Sequence, residues 1–349
     1  MTRHRVDDLR RFGVAAFVAA GMRDADARTV VENLLWSDLR GVDTHGFERL
    51  PWYVRWLTEG RADPKAELEI VSETPTVLVG DGHGGLGQLV VTRFAERLVA
   101  AARASGLVVA TLRNSNDWGC GAHYPWHAAR EGFVCYATTT SVPTLAPFGS
   151  RRRVLGNNPI VWAFPRPGAP PIVLDMALTP VALGKVMRAR AEGSEIPLAW
   201  GFRDRDGSPT ADPDVALRGI IPAIGGYKGI GLAVVSNLLA GVLAGSAHEE
   251  AVDVGRRGQF FLLMDPGLFG ARERYLSEVE KMVASFRAAQ EEALPGEQVF
   301  LPGEIEERTL EERSRAGAIP LRDSTLRALR ETARALGVPF DLAPAGREE

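Results

Sequence analysis

A chain of 349 residues is longer than one simple hydrophobic core usually serves, so two or three subdomains are expected. With 41 Lys and Arg against 44 Asp and Glu, the net charge of -3 excludes the cationic surface that nonspecific nucleic-acid binding requires. The hydrophobic fraction of 45% and charged fraction of 24% are those of a water-soluble globular protein. In chain order, residues 6–20 and 24–39 read as amphipathic helices, the second carrying Val30, Val31, Leu34, Leu35 and Leu39 at helical spacing before Gly41. Residues 76–79 and 108–112 are short and rich in β-branched side chains, and residues 89–104 between them have helical period.

Further strands are expected at 134–139, 160–164 and 172–174, separated by Pro and Gly, with a last strand at 260–264. The apolar run 230–247 is interrupted by Ser236 and Asn237, which makes a buried helix a better reading than a membrane span. Helices follow at 273–289 and from about 304 and 324, and the tail beyond residue 343 is expected to fray. This suggests an N-terminal helical part at 1–75, a central α/β domain at 76–247, and a strand and helices at 248–349 that complete the first part. The start, residues 1–11, is charged and lacks the apolar stretch of a secretory signal. Two cysteines, Cys120 and Cys135, make no disulfide framework, so a cytoplasmic setting is expected.

Four segments could carry chemistry. Gly80, Gly82 and Gly85 satisfy a dinucleotide-loop spacing after a strand, but the next strand ends without an acidic residue for a ribose, so these glycines read as turn formers. Around Lys228, the run from Gly225 to Gly231 opens a helix, where unpaired backbone N–H groups could cradle an anion; the plainer alternative is a solvated lysine at a helix cap. His45, Arg49 and Tyr53 fall at i, i+4 and i+8, with Phe47, Leu50, Val54 and Leu57 as the apolar face, although Pro51 implies a kink or a helix starting near Leu50. A guanidinium fork suits a carboxylate and an imidazole exchanges protons near neutrality; otherwise His45 caps a helix and Arg49 pairs with Glu48 or Asp43. Asp175 is an ordinary strand-end aspartate by composition. Cys120 lacks an adjacent base and reads as a buried thiol, and His123 with His127 lacks a third ligand, so no metal is expected.

A longer ordered set of landmarks is present: residues 38–46 (Asp-Leu-Arg-Gly-Val-Asp-Thr-His-Gly), Gly85-Leu86-Gly87-Gln88, Asn114-Ser115-Asn116, Ala146-Pro147-Phe148-Gly149, Leu155-Gly156-Asn157-Asn158-Pro159, Leu174-Asp175-Met176-Ala177, Gly226-Tyr227-Lys228-Gly229 and Leu301-Pro302-Gly303-Glu304. With these the chain resembles the type 2 malate/L-lactate dehydrogenases. The resemblance implies a non-Rossmann α/β fold with a central mixed-sheet nucleotide domain and a helical domain formed by both termini. It further implies NAD or NADP as cofactor, a small carboxylate as substrate, no metal, membrane or nucleic-acid partner, and a homodimer. His45 is then the acid/base, with Arg49, Thr44 and Tyr53 on the substrate. Ser141, Asp175, Met176, Ala177, Lys228, Gly229, Gly303 and Glu304 meet the cofactor.

The departure is Asp117, which stands where the family's loop has histidine. Three readings follow. A 2-oxo-acid reductase would rely on His45; an α-imino or cyclic imino acid reductase would use Asp117 as a second catalytic residue; a catalytically silent member would bind nucleotide alone.

Overall fold

The computed structural model describes residues 1–166, 168–246 and 256–347. The N-terminal elements are β1 (Thr2–Arg5), α1 (Val6–Ala19), α2 (Asp24–Leu39) and α3 (Leu50–Thr58). The middle of the chain runs β2 (Glu69–Glu73), β3 (Val77–Asp81), α4 (Gly87–Ser105), β4 (Leu107–Ser115), α5 (His123–Arg130), β5 (Val134–Thr139), β6 (Ile160–Phe164) and β7 (Ile172–Met176). After α6 (Leu183–Glu192), α7 (Pro213–Arg218) and α8 (Tyr227–Asn237) come β8 (Arg257–Met264), α9 (Arg272–Ala288), α10 (Glu304–Ala316), β9 (Ala318–Leu321), α11 (Asp323–Leu336) and β10 (Pro344–Arg347).

Seven strands form a mixed sheet in the order β2-β3-β4-β8-β5-β6-β7, in which β3 and β4, joined by α4, are parallel and the other pairs antiparallel. Apolar side chains of β4, β5 and β8 pack against Val90, Val91, Phe94 and Leu98 of α4, which gives the sheet a buried face. The two termini meet separately: β1 pairs with both β9 and β10, and Leu9, Phe12 and Phe17 of α1 share one core with Val30, Val31 and Leu34 of α2 and Leu329 and Ala333 of α11. This α/β architecture is the one that the family resemblance implies.

Three expectations are corrected. The tail beyond residue 343 is ordered through residue 347 as β10, whose backbone completes the edge of β1, while residues 348–349 lie outside those described. The boundary at 247/248 also lies outside the described residues, and β8, which that division assigned to the terminal part, sits in the middle of the large sheet between β4 and β5. Its burial is the reason: Phe260, Phe261 and Leu263 are covered by the sheet's core. Finally, the apolar run around α8 is not a buried helix. Val235, Leu238, Val242 and Leu243 are 51–62% exposed, and the expected end at residue 247 lies outside the described residues. Among the described residues no helix is long and apolar enough to cross a membrane.

Candidate active site

The segment after α2 is held by buried hydrogen bonds. Asp38, in the last turn of α2, accepts a hydrogen bond from the Phe47 backbone N–H at 2.8 Å, and burial pushes its pKa well above the usual carboxylate range. A Cβ on Gly46 would collide with that carboxylate, so only glycine lets the chain pass. Arg313 of α10 donates to the Asp38 carbonyl and, at 2.7 Å, to Asp43. These bonds fix two 3-10 turns, Asp43–His45 and Phe47–Arg49, and α3 then starts at Leu50 with Pro51 in its first turn, where its missing N–H costs nothing. One continuous helical face through His45, Arg49 and Tyr53 therefore does not form. The three side chains still line one cavity, because Phe47, Leu50, Val54 and Leu57 anchor the opposite side in the core.

Arg49 donates from Nε to the Thr44 carbonyl at 2.7 Å and lies 4.7 Å over the Trp52 ring. It does not pair with Glu48 or Asp43, which face Arg188 and Arg313 instead. The Thr44 hydroxyl is 3.0 Å from His45 Nδ1, which orients the ring. Burial and the neighbouring Arg49 charge, opposed by Asp117, hold the His45 pKa down at about 4, so the imidazole is neutral at pH 7.

Asp117 follows β4, on a loop that Gly87 approaches closely at the start of α4. Its Oδ1 accepts from the Tyr53 hydroxyl at 3.1 Å and the Gly119 N–H at 2.9 Å, and its Oδ2 from Arg257 Nη1 at 2.8 Å. Burial opposes ionisation, but Arg257, Arg49 and His45 more than offset it and bring the pKa to about 2. Asp117 is a fixed anion with both oxygens engaged. It cannot deliver a proton near neutrality.

Arg257 is the site residue that sequence reasoning missed. It opens β8 opposite Ser115, and its neighbour Gly258 packs so closely on the Ala240 carbonyl, in the π-helical turn Leu238–Leu243, that a Cβ could not fit. A π-turn meeting a glycine beside a buried arginine is a cue, but only the fold brings the two together.

The cavity has a volume of about 660 Å³, within the range of ligand pockets, which is roughly 300–1,000 Å³. Ser141, Asn157, Asp175, Ala177 and Gly303 line it together with Arg49 and His45. Ser141 donates to Asn157 Oδ1 at 2.6 Å, and Asp175 Oδ2 accepts from the Ala122 N–H at 2.7 Å. Gly303, with φ +84°, adopts a backbone conformation that other residues rarely take, and lets the start of α10 lie close against Val173. Ser141, Asn157 and Asp175 bring hydroxyl, amide and carboxylate groups to the cavity lining, donors and acceptors able to orient a polar ligand.

Other expected cofactor contacts fall outside this cavity. Met176 packs with Ile160 and Leu178, Gly229 is pressed against the Ile224 carbonyl, and Lys228 is exposed on α8. Glu304 accepts from the Leu301 N–H at 3.0 Å and pairs with Arg287 and Arg308, while Glu306 lines the cavity. Cys120 lines the cavity too, but burial raises its thiol pKa well above the ordinary value, which leaves no nucleophile. None of Gly80 to Gly87 lines the cavity; His83 and Gly84 turn the chain with positive φ.

The malate/L-lactate dehydrogenase family model matches residues 4–330. The chain is 32% identical over 345 residues to the malate dehydrogenase of Pyrococcus horikoshii, with 95% of each chain covered. It is also 32% identical over 292 residues to the Delta(1)-pyrroline-2-carboxylate/Delta(1)-piperideine-2-carboxylate reductase of Pseudomonas aeruginosa, covering 81% of this chain and 87% of the relative. The solved structure of the sulfolactate dehydrogenase of Methanocaldococcus jannaschii superposes with a TM-score of 0.87 at 29% identity, over 96% of this chain and 98% of that one. These matches define the class: an NAD(P)-dependent oxidoreductase. The chain belongs to the malate/L-lactate dehydrogenase family.

Proposed function

We propose that the chain interconverts a small 2-oxo acid and its 2-hydroxy acid, using NAD or NADP. The observation that carries this reading is the convergence of Arg49 and the neutral His45 on one cavity, with Thr44 and Tyr53 beside them. Arg49 holds the substrate carboxylate through its planar fork, positioned over Trp52. When bound, the nicotinamide gives or takes the hydride. In the oxidative direction neutral His45 accepts the hydroxyl proton; in the reductive direction it returns one to the developing alkoxide oxygen. A carboxylate docked on Arg49 offsets the cationic charge that lowers the His45 pKa, so substrate binding itself favours the protonated form needed for reduction.

Ser141, Asp175, Ala177 and Gly303 form the proposed cofactor wall. A second reading, reduction of a cyclic or α-imino acid, is supported by Asp117: a fixed anion stabilises a bound iminium although it cannot protonate it. The exposed apolar face of α8 and the turn after it supports a homodimer through that surface. Lys228 lies on the same face, so contact with the cofactor there needs the outer part of the nucleotide or that of the partner. Cytoplasmic residence belongs to the same proposal, supported by two buried unpaired thiols. And pairing of β1 with β9 and β10 supports one discontinuous domain built from both termini.

The test is to screen 2-oxo acids and cyclic imino acids with NADH and NADPH, following the nicotinamide absorbance. Turnover of neither class with either cofactor would refute the reading.

A further inference from the structure

We propose that the site selects 2-oxo or 2-imino acids bearing a single negative charge, and that the Asp117–Arg257 pair is what excludes a second anionic group. This rests on the hydride-transfer reading above and adds the charge class of its substrate.

Three guanidinium groups line the cavity, and they are not equivalent. Arg40 is paired with Glu307, lies 4.7 Å over Trp36, and has a side chain only 1% exposed. Arg257 is paired with Asp117 at 2.8 Å, its side chain 11% exposed. Of the three, Arg49 alone has no carboxylate partner among the described residues; its Nε bond goes to a backbone carbonyl. The α-carboxylate of a substrate therefore meets one available cation. A second carboxylate or sulfonate would be stripped of water with no cation left to receive it, which is costly for a buried anion. Any anion that approached Arg257 would also approach Asp117 and be repelled by it.

Asp117 keeps this role at all working pH values, since the surrounding cations hold its pKa near 2 and Tyr53, Gly119 and Arg257 occupy its oxygens. The neighbouring wall is apolar, with Trp52, Trp56, Leu183 and Met187 facing the same space. It suits an uncharged substituent on the α-carbon.

The experiment measures the affinity of 2-oxopentanoate and of oxaloacetate, chains of similar length with one and two carboxylates, by quenching of the tryptophans that line the cavity. Wild-type protein is expected to bind the monoacid at least roughly tenfold more tightly. Asp117→Asn, isosteric and releasing Arg257, should shrink or invert that ratio by about tenfold or more, whereas Arg257→Met should not shrink it. Equal or tighter binding of oxaloacetate by wild type overturns the proposal, as does an unchanged ratio in folded Asp117→Asn. Should the affinities follow this pattern while no hydride transfer occurs with either cofactor, the charge selection stands and the proposed reaction falls.

Discussion

Replacing Gly87 by alanine perturbs the site without removing any polar side chain. A Cβ there would lie 2.5 Å from the Asp117 carbonyl carbon and 2.7 Å from the Asn116 carbonyl oxygen, and closer still to the Asp117 carbonyl oxygen, whereas real Cβ contacts essentially never fall below 3.0 Å. Both obstacles are backbone, so the loop bearing Asp117 must retreat by about half an ångström or more. Overpacking of this kind costs about 1–3 kcal/mol, and a 1 Å misplacement can cost about a hundredfold in rate. The expected result is a melting temperature lowered by a few degrees and a kcat reduced by roughly ten- to a hundredfold. Gly85→Ala is the comparison, because its Cβ would meet the Ala66 and Val90 side chains at 2.8 Å rather than the loop backbone. It should lose stability without the selective loss of rate. Thermal melts and steady-state kinetics on both variants decide the matter: Gly87→Ala with wild-type kcat would show that the loop position is not coupled to the chemistry.

Asp117→Asn is expected to cost more in the reduction of a cyclic imino acid than of a 2-oxo acid, because it removes the anion opposite an iminium; an equal, negligible effect in paired kinetics would leave Asp117 a purely structural residue. Arg257→Met leaves the Asp117 anion with only Tyr53 and Gly119 as hydrogen-bond donors, and should destabilise by about 1–3 kcal/mol, less than a fully buried pair because both side chains keep some exposure. Asp117's pKa of about 2 lies below its unfolded value of 3.8, so its stabilising contribution is present above pH 3.8 and lost as pH falls through 2. Without Arg257 that pKa rises, and the deficit of the variant, measured by denaturant titration, should shrink as pH is lowered from 7 toward 4. For the wild type, kcat/KM for oxidation of a 2-hydroxy acid should hold down to about pH 4, the pKa of free-enzyme His45. An acid limb near the ordinary histidine value of about 6.5 would contradict the burial of His45.

Much of this site is legible in local sequence, since Thr44, His45, Arg49 and Tyr53 fall within one short segment and the landmarks holding Asp175 and Gly303 are contiguous runs, whereas Ser141 comes only with the family resemblance. What local pattern cannot supply is register. Arg257 faces Asp117 because β8 pairs antiparallel with β4, bringing Ser115 opposite Arg257, and nothing near Arg257 in the chain marks that pairing. β1 and β10 escape notice for a related reason: Thr2-Arg3-His4-Arg5 has no apolar alternation, and becomes a strand only because β9 and β10 supply its hydrogen bonds. The α8 run shows a different limit. Apolar composition states that a surface avoids water, and not whether its own chain or another one covers it.

The role of His45 is the central claim, and one comparison tests it most directly. Wild type and His45→Asn would be followed at the nicotinamide absorbance with a 2-oxo monoacid that the wild type reduces, alongside a separate titration of nucleotide affinity. The expected outcome is a loss of about 10²–10⁴ in kcat with nucleotide affinity unchanged. Full turnover by folded His45→Asn would contradict it.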